Sequence, residues 1–162
     1  MYTTKLLTCC SLLVTMGCGH TPVASSRFSS DRIVQMVHKN RSDIDVRSLR
    51  AILVITEQGC ITCNREFSTL VAKHLDDPNV LFWVSARGTE INISDFKVHP
   101  DYVFWDYNQD MARSGLLEGS GALLLQNGHV DTIISLDARY LETTLEYVND
   151  YLNTPKKSIL KK

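Results

Sequence analysis

Residues 51–63 read Ala51-Ile52-Leu53-Val54-Ile55-Thr56-Glu57-Gln58-Gly59-Cys60-Ile61-Thr62-Cys63, and this stretch decides the fold. Its first six residues form an unbroken apolar run rich in β-branched side chains. Such a run fits a short strand buried on both faces. Gly59 interrupts it. From Ile61 onward the spacing changes: Phe67, Leu70, Val71 and His74 or Leu75 recur at intervals of three and four, which predicts a helix over 61–75. The two cysteines therefore sit where a buried strand gives way to a helix. A helix N-terminus carries unpaired N–H groups and a partial positive charge. A thiolate is stabilised there, so a thiol value of about 8.5 falls to about 3.5–7.5 in such surroundings. Cys60, behind Gly59, is placed as the exposed attacking thiol. Cys63, almost one turn further on, is placed as the resolving thiol.

Outward from this stretch, helix and strand patterns alternate. Upstream, Ser30 and Asp31 are candidate caps of a helix running to about Asn40, with Ile33, Val34, Met36 and Val37 on its apolar side. Downstream, 80–85 (VLFWVS) and 102–105 (YVFW) read as strands, with a possible helical turn at 93–96 between them. A short helix is predicted over 109–117 and a strand over 122–125. Asn127-Gly128 is a strong hairpin signal leading to a strand over 129–135. Asp137 then caps a last amphipathic helix through Leu152, with Leu141, Leu145, Val148 and Leu152 on one side. Strands alternating with helices require crossover connections and a parallel core. The expectation is an α/β domain over 31–155, its central mixed sheet flanked by helices and carrying a C-terminal NG hairpin.

The 162 residues carry a formal net charge of -1, with 44% hydrophobic and 22% charged residues, the balance of an ordinary globular chain. No basic stripe with interleaved aromatics argues for nucleic acid. No phosphate-binding glycine motif or serine nucleophile elbow is present. His74, His99 and His129 have no metal-ligand spacing to one another, and His20 falls in a polar stretch. Trp83 and Trp105 lie within apolar runs and read as core residues. The lysines 156, 157, 161 and 162 form a basic tail over 156–162.

The five cysteines are Cys9, Cys10, Cys18, Cys60 and Cys63. Lys5, the short apolar run from Leu6 to Met16 and Gly17-Cys18 have the make-up of a signal peptide over 1–17, since a span needs about 20 apolar residues. Thr15-Met16-Gly17-Cys18 resembles the lipobox of bacterial lipoproteins, although Thr15 stands where Leu is usual. The resemblance implies cleavage before Cys18 and lipid on Cys18; ordinary signal-peptidase cleavage near Ala24-Ser25 and an uncleaved anchor stay open as alternatives. The lipobox resemblance implies a membrane-anchored protein of the bacterial cell envelope, its domain in the periplasm or outside the membrane. Residues 18–30, rich in serine and small side chains, would be the flexible tether. Cys60 and Cys63 are then the remaining pair.

Residues 51–135, with the buried strand, the GCITC turn, the long helix, VLFWVS, YVFWD and ALLLQNGHV, resemble the thioredoxin-like family. They are similar in particular to its membrane-tethered envelope members. The resemblance implies a thioredoxin-like fold and a thiol–disulfide oxidoreductase with Cys60 as nucleophile and Cys63 resolving. Its partners would be exported protein disulfides or thiols, with no cofactor and no resident metal. Three departures stand out. The family's usual Trp-Cys-Gly-Pro-Cys is here Gly59-Cys60-Ile61-Thr62-Cys63, and the intervening pair tunes potential across about 150 mV. The family's buried acid, a proton acceptor for the second thiol, maps to Val54; Glu57 is the nearest carboxylate and a candidate for that role. The family's cis-proline loop, which faces the dithiol and substrate, maps to Gly119, Ser120 and Gly121. A cis peptide is a proline phenomenon, so this loop must be built differently. Two alternatives stay open. One is a partner-binding module with a structural Cys60–Cys63 disulfide. The other is copper or zinc handling through the two thiolates.

Overall fold

The computed structural model of the chain describes residues 26–86 and 101–154, with side chains from Ser30 onward. The signal peptide, Cys18, His20, the turn at 93–96, His99 and the basic tail lie outside the described residues. Helix α1 (Ser26–Asn40) is followed by strand β1 (Ala51–Thr56), helix α2 (Ile61–Ala72) and strands β2 (Val80–Ser85) and β3 (Val103–Trp105). A single turn α3 (Asp110–Arg113), strands β4 (Gly121–Gln126) and β5 (His129–Ser135), a 3-10 turn (Ala138–Tyr140) and helix α4 (Leu141–Asn153) complete the order. The five strands form one mixed sheet in the order β3-β2-β1-β4-β5. β1 runs parallel to β2 and antiparallel to β4, β2 runs parallel to β3, and β4 pairs antiparallel with β5 across Asn127-Gly128.

Every residue of β1 is buried, which accounts for a run that does not alternate. Ala51, Leu53 and Ile55 face one layer with Phe67 and Val71 of α2 and Val148 and Leu152 of α4. Ile52 and Val54 face the other, with Ile33 and Val37 of α1, Trp83 and Met111. Burying a large apolar side chain fully contributes about 1.5–3 kcal/mol. The 64-67-71 face of α2, clamped to the sheet this way, holds the helix's first turn in place above the end of β1.

Several boundaries differ from expectation. Helix α1 begins at Ser26, so 26–30 belong to the helix rather than to a tether. Ser30 lies inside it, and its hydroxyl accepts the Val130 N–H at 3.0 Å instead of capping. Helix α2 stops at Ala72, because Lys73 and His74 donate to Leu70 and Val71 and wind the chain into tighter turns. Leu75 still reaches the core, at 5% exposure. The helix expected over 109–117 is one turn long. The Ser114 hydroxyl accepts the Leu116 N–H and donates to Met111 O, and Gly115 takes a φ of +70°. The last helix opens with a 3-10 turn capped by Asp137, whose carboxylate accepts the Arg139 N–H. Trp105 is only half-buried, whereas Trp83 is 1% exposed.

The two ends of the described chain lie at the end of the sheet where β1 begins. Ser30 sits on Val130, which pairs with Leu125, and the Leu125 N–H donates to Arg50 just ahead of β1. The Arg50 guanidinium donates to the carbonyls of Tyr151 and Thr154 at the end of α4. The cysteines follow the other end of β1, about 20 Å away at 3.3 Å per residue.

Candidate functional site

Cys60 is the N-cap of α2, in extended backbone (φ -80°, ψ 117°), and its sulfur accepts the Cys63 N–H at 3.2 Å. The backbone that places Cys60 outside the helix therefore points its sulfur at the orphan donors of the first turn. Cys60 and Cys63 lie at disulfide-bonding distance, with Cα atoms 5.1 Å apart. Cys63 is 1% exposed, while Cys60 is only partly covered and Ile61 beside it is 70% exposed. One member of the pair is thus presented to solvent and the other is held on the core side. A partner sulfur can reach Cys60 first, and Cys63 is within reach of whatever bond Cys60 forms.

The Gly119, Ser120 and Gly121 segment packs directly on this turn. Gly59 holds a φ of +94°, a region that side chains rarely adopt, and swings the chain out of β1 into the motif. Gly119 lies against it: a Cβ there would sit 3.2 Å from Gln58 O and 3.7 Å from Gly59 Cα. Ser120 is 2% exposed, and its hydroxyl accepts the Thr56 N–H at 2.9 Å and donates to Thr56 O at 3.4 Å. No cis peptide bond occurs among the described residues. A serine hydroxyl and close backbone contact thus join this loop to the motif.

Asn64 went unnoticed in the sequence. It is 6% exposed, and its Nδ2 donates to Thr56 O at 3.0 Å and to Gln58 O at 3.4 Å. Its spacing to Phe67 and Val71 puts an amide on an apolar face, and that anomaly was the available signal. Val54, where an acid was sought, is fully buried among apolar side chains, and Glu57 is half-buried in the turn.

Asp106, 3% exposed, is the only buried carboxylate among the described residues. It follows β3 at the same end of the parallel strands as the cysteines, two strands away from β1. It accepts from Trp83 Nε1 (3.0 Å), Ser85 Oγ (3.0 Å), Asp110 N (2.9 Å) and Met111 N (2.8 Å). Burial works against its charge. The donors, led by Met111 N–H and the Trp83 indole, outweigh that and hold the carboxyl below its usual range. Its lone pairs serve the β2–β3–α3 junction rather than the thiols.

Among the described residues, no cluster of three or more His, Cys, Asp or Glu side chains could hold a metal, and no helix is long and apolar enough to cross a membrane. A cleft of about 400 Å³, lined by Arg41, Asp43, Ser48 and Tyr102 among others, opens at the end of the strands opposite to the cysteines. What defines the protein is therefore a five-stranded mixed α/β sheet with a Cys-x-x-Cys pair at a strand-to-helix junction. No family model, curated protein or solved structure matches the chain.

Proposed function

We propose that this chain is a thioredoxin-like thiol–disulfide exchange protein of the bacterial envelope, anchored by lipid on Cys18, that acts on exported protein disulfides or thiols. The observation that carries the reading is Cys60 as N-cap of α2, its sulfur on the Cys63 N–H and Cys63 buried behind it. The mixed sheet with helices on both faces is compatible with that family.

In the reducing direction, the Cys60 thiolate attacks a partner disulfide. A Cys60–partner bond forms, the partner's own S–S bond breaks, and one partner thiolate leaves and takes up a proton. The Cys63 thiolate then attacks Cys60 sulfur, forms the Cys60–Cys63 bond and expels the second partner thiolate. Two electrons pass from the dithiol to the partner. The oxidising direction is the reverse sequence. Exchange slows when the attacking thiol is protonated, and the N–H donors at the head of α2 favour the thiolate.

The test is a redox titration of the full-length chain carrying Cys9→Ser, Cys10→Ser and Cys18→Ser, in detergent against glutathione couples, with free thiols counted by alkylation and mass spectrometry. A reversible two-thiol transition above about -300 mV is expected. A pair that stays oxidised below that value would be a structural disulfide and would end the exchange reading. For the anchor, cells fed labelled palmitate should incorporate it into the wild-type chain and not into Cys18→Ser, which should leave the membrane fraction. Equal labelling of both would remove Cys18 from the proposal.

A further inference from the structure

We propose that Asn64 is a positioning residue for the dithiol: its buried side-chain amide brackets the Cys60–Cys63 turn and keeps the two sulfurs within bonding reach when the pair is reduced. This rests on the exchange reading above.

The amide spans the motif. Asn64 follows Cys63 directly, and its Nδ2 reaches back to the carbonyls of Thr56 and Gln58, which precede Cys60. Thr56 is the last residue of β1, held in register opposite Ser85 and 2% exposed. It is fixed a second time from the β4 side by the Ser120 hydroxyl on its N–H and carbonyl. The bracket is therefore anchored to the sheet, not to another mobile turn. Burying an amide on the apolar face of α2 is costly unless its donors are used, and here both contacts close the loop that contains the cysteines. The Thr56 hydroxyl adds a further tie, accepting the Gln58 N–H and donating to Gln58 O, each at 3.2 Å.

In the oxidised pair the sulfur–sulfur bond itself holds Cys60 to Cys63. Cys60 is outside the helix, and when the bond is reduced the ties left to hold it near Cys63 are the two local hydrogen bonds that the structure shows around the bonded pair. These run from Cys63 N–H to its sulfur and from Asn64 N–H to its carbonyl at 2.9 Å. Both depend on the turn from Glu57 to Cys60 staying folded onto α2. The Asn64 side chain supplies that condition. Fixing two reacting groups in advance raises the effective concentration of one at the other, so the bracket favours ring closure and fast resolution of a mixed disulfide.

The test uses the full-length chain carrying Cys9→Ser, Cys10→Ser and Cys18→Ser, equilibrated with glutathione, so that only Cys60 and Cys63 exchange. In that reaction the two protein thiols lose two electrons and two protons, the Cys60–Cys63 bond forms, glutathione disulfide is cleaved and two glutathione thiols are released. Asn64→Ala should lower the ratio of oxidised to reduced protein at fixed glutathione by about tenfold, a rise of about 30 mV in potential. It should also prolong the lifetime of a glutathione adduct on Cys60. Ser120→Ala, which loosens the anchor but leaves the amide in place, should move both quantities the same way by about threefold, about 14 mV, and covers the case in which Asn64→Ala does not fold. If Asn64→Ala loses urea stability while its glutathione equilibrium stays within twofold of wild type, the residue is only structural and the proposal is overturned. If Asn64→Ala does not fold and Ser120→Ala leaves the equilibrium unchanged, it is likewise overturned. A wild-type chain that never equilibrates with glutathione overturns the exchange reading itself, and the bracket with it.

Discussion

Cys63→Ser should convert the protein into a trap. Cys60 remains partly exposed, with its sulfur on an N–H that a serine at 63 still supplies, so attack on a partner disulfide proceeds. The second step is lost, because no thiol stands behind Cys60 to displace the partner. Release then depends on thiols from solution rather than on one held within the same turn. Preorganised groups react with effective concentrations far above those of dissolved reagents, so turnover should fall by a factor of about 10³ or more. Non-reducing electrophoresis of cells carrying Cys63→Ser should show adducts that vanish on reduction. Cys60→Ser should show none. Unimpaired turnover by Cys63→Ser, or adducts of equal yield on Cys60→Ser, would mean that the roles assigned to the two sulfurs are wrong.

Asp106→Ala should be among the most damaging single changes away from the motif, at about 4 kcal/mol. Four donors converge on this carboxylate, Trp83 and Ser85 from β2 and the Asp110 and Met111 amides from the first turn of α3. Removing it strands the Trp83 indole N–H and the Met111 amide in an apolar layer, and each orphaned donor costs about 1–3 kcal/mol, less than additively where water can enter. Domains are stable by about 5–15 kcal/mol in total, so this is a large share. Asp106→Asn keeps the shape but turns an amide N–H₂ toward donors, and should cost about 2 kcal/mol. The pH dependence follows from the lowered carboxyl value. A group whose folded value lies below its ordinary 3.8 contributes its stability in full above that value. The contribution is lost as pH falls from 3.8 through the lower folded value. Urea unfolding between pH 7 and pH 2 should therefore show an acid-labile component in wild type that is reduced in Asp106→Asn. An unfolding midpoint that Asp106→Ala leaves unchanged would show that the network contributes nothing net. The glutathione equilibrium of the cysteines should be the same in Asp106→Asn, since these hydrogen bonds do not reach the motif.

The two residues that organise the site and its neighbour, Asn64 and Asp106, show why some of the structure was legible in advance and some was not. Strand β1, the helix after Gly59 and the chain reversal at Asn127-Gly128 are local matters, set by β-branched runs, a change of period and turn chemistry within a few residues. Their positions can be read from the local order and spacing of residues. The polar ties are not local. Ser120 meets Thr56 across 64 positions of chain, and Asp106 meets Trp83 across 23. No periodic pattern encodes such a pairing, because each partner is one polar residue among apolar neighbours. The contact of Gly119 and Ser120 with the turn ahead of Cys60 has no local signal in the sequence, and a missing proline does not foretell its fastening by a serine hydroxyl. Helix ends were misjudged where short side chains such as Ser114 redirect the backbone within one turn.

Ser30 against Val130, and Arg50 against the end of α4, put both termini of the folded body at the pole remote from Cys60. Whatever is joined ahead of α1 or behind α4 is thus attached at the back. On the exchange reading, a client that docks on Cys60 meets the described body at the pole opposite to the one where α1 starts and α4 ends.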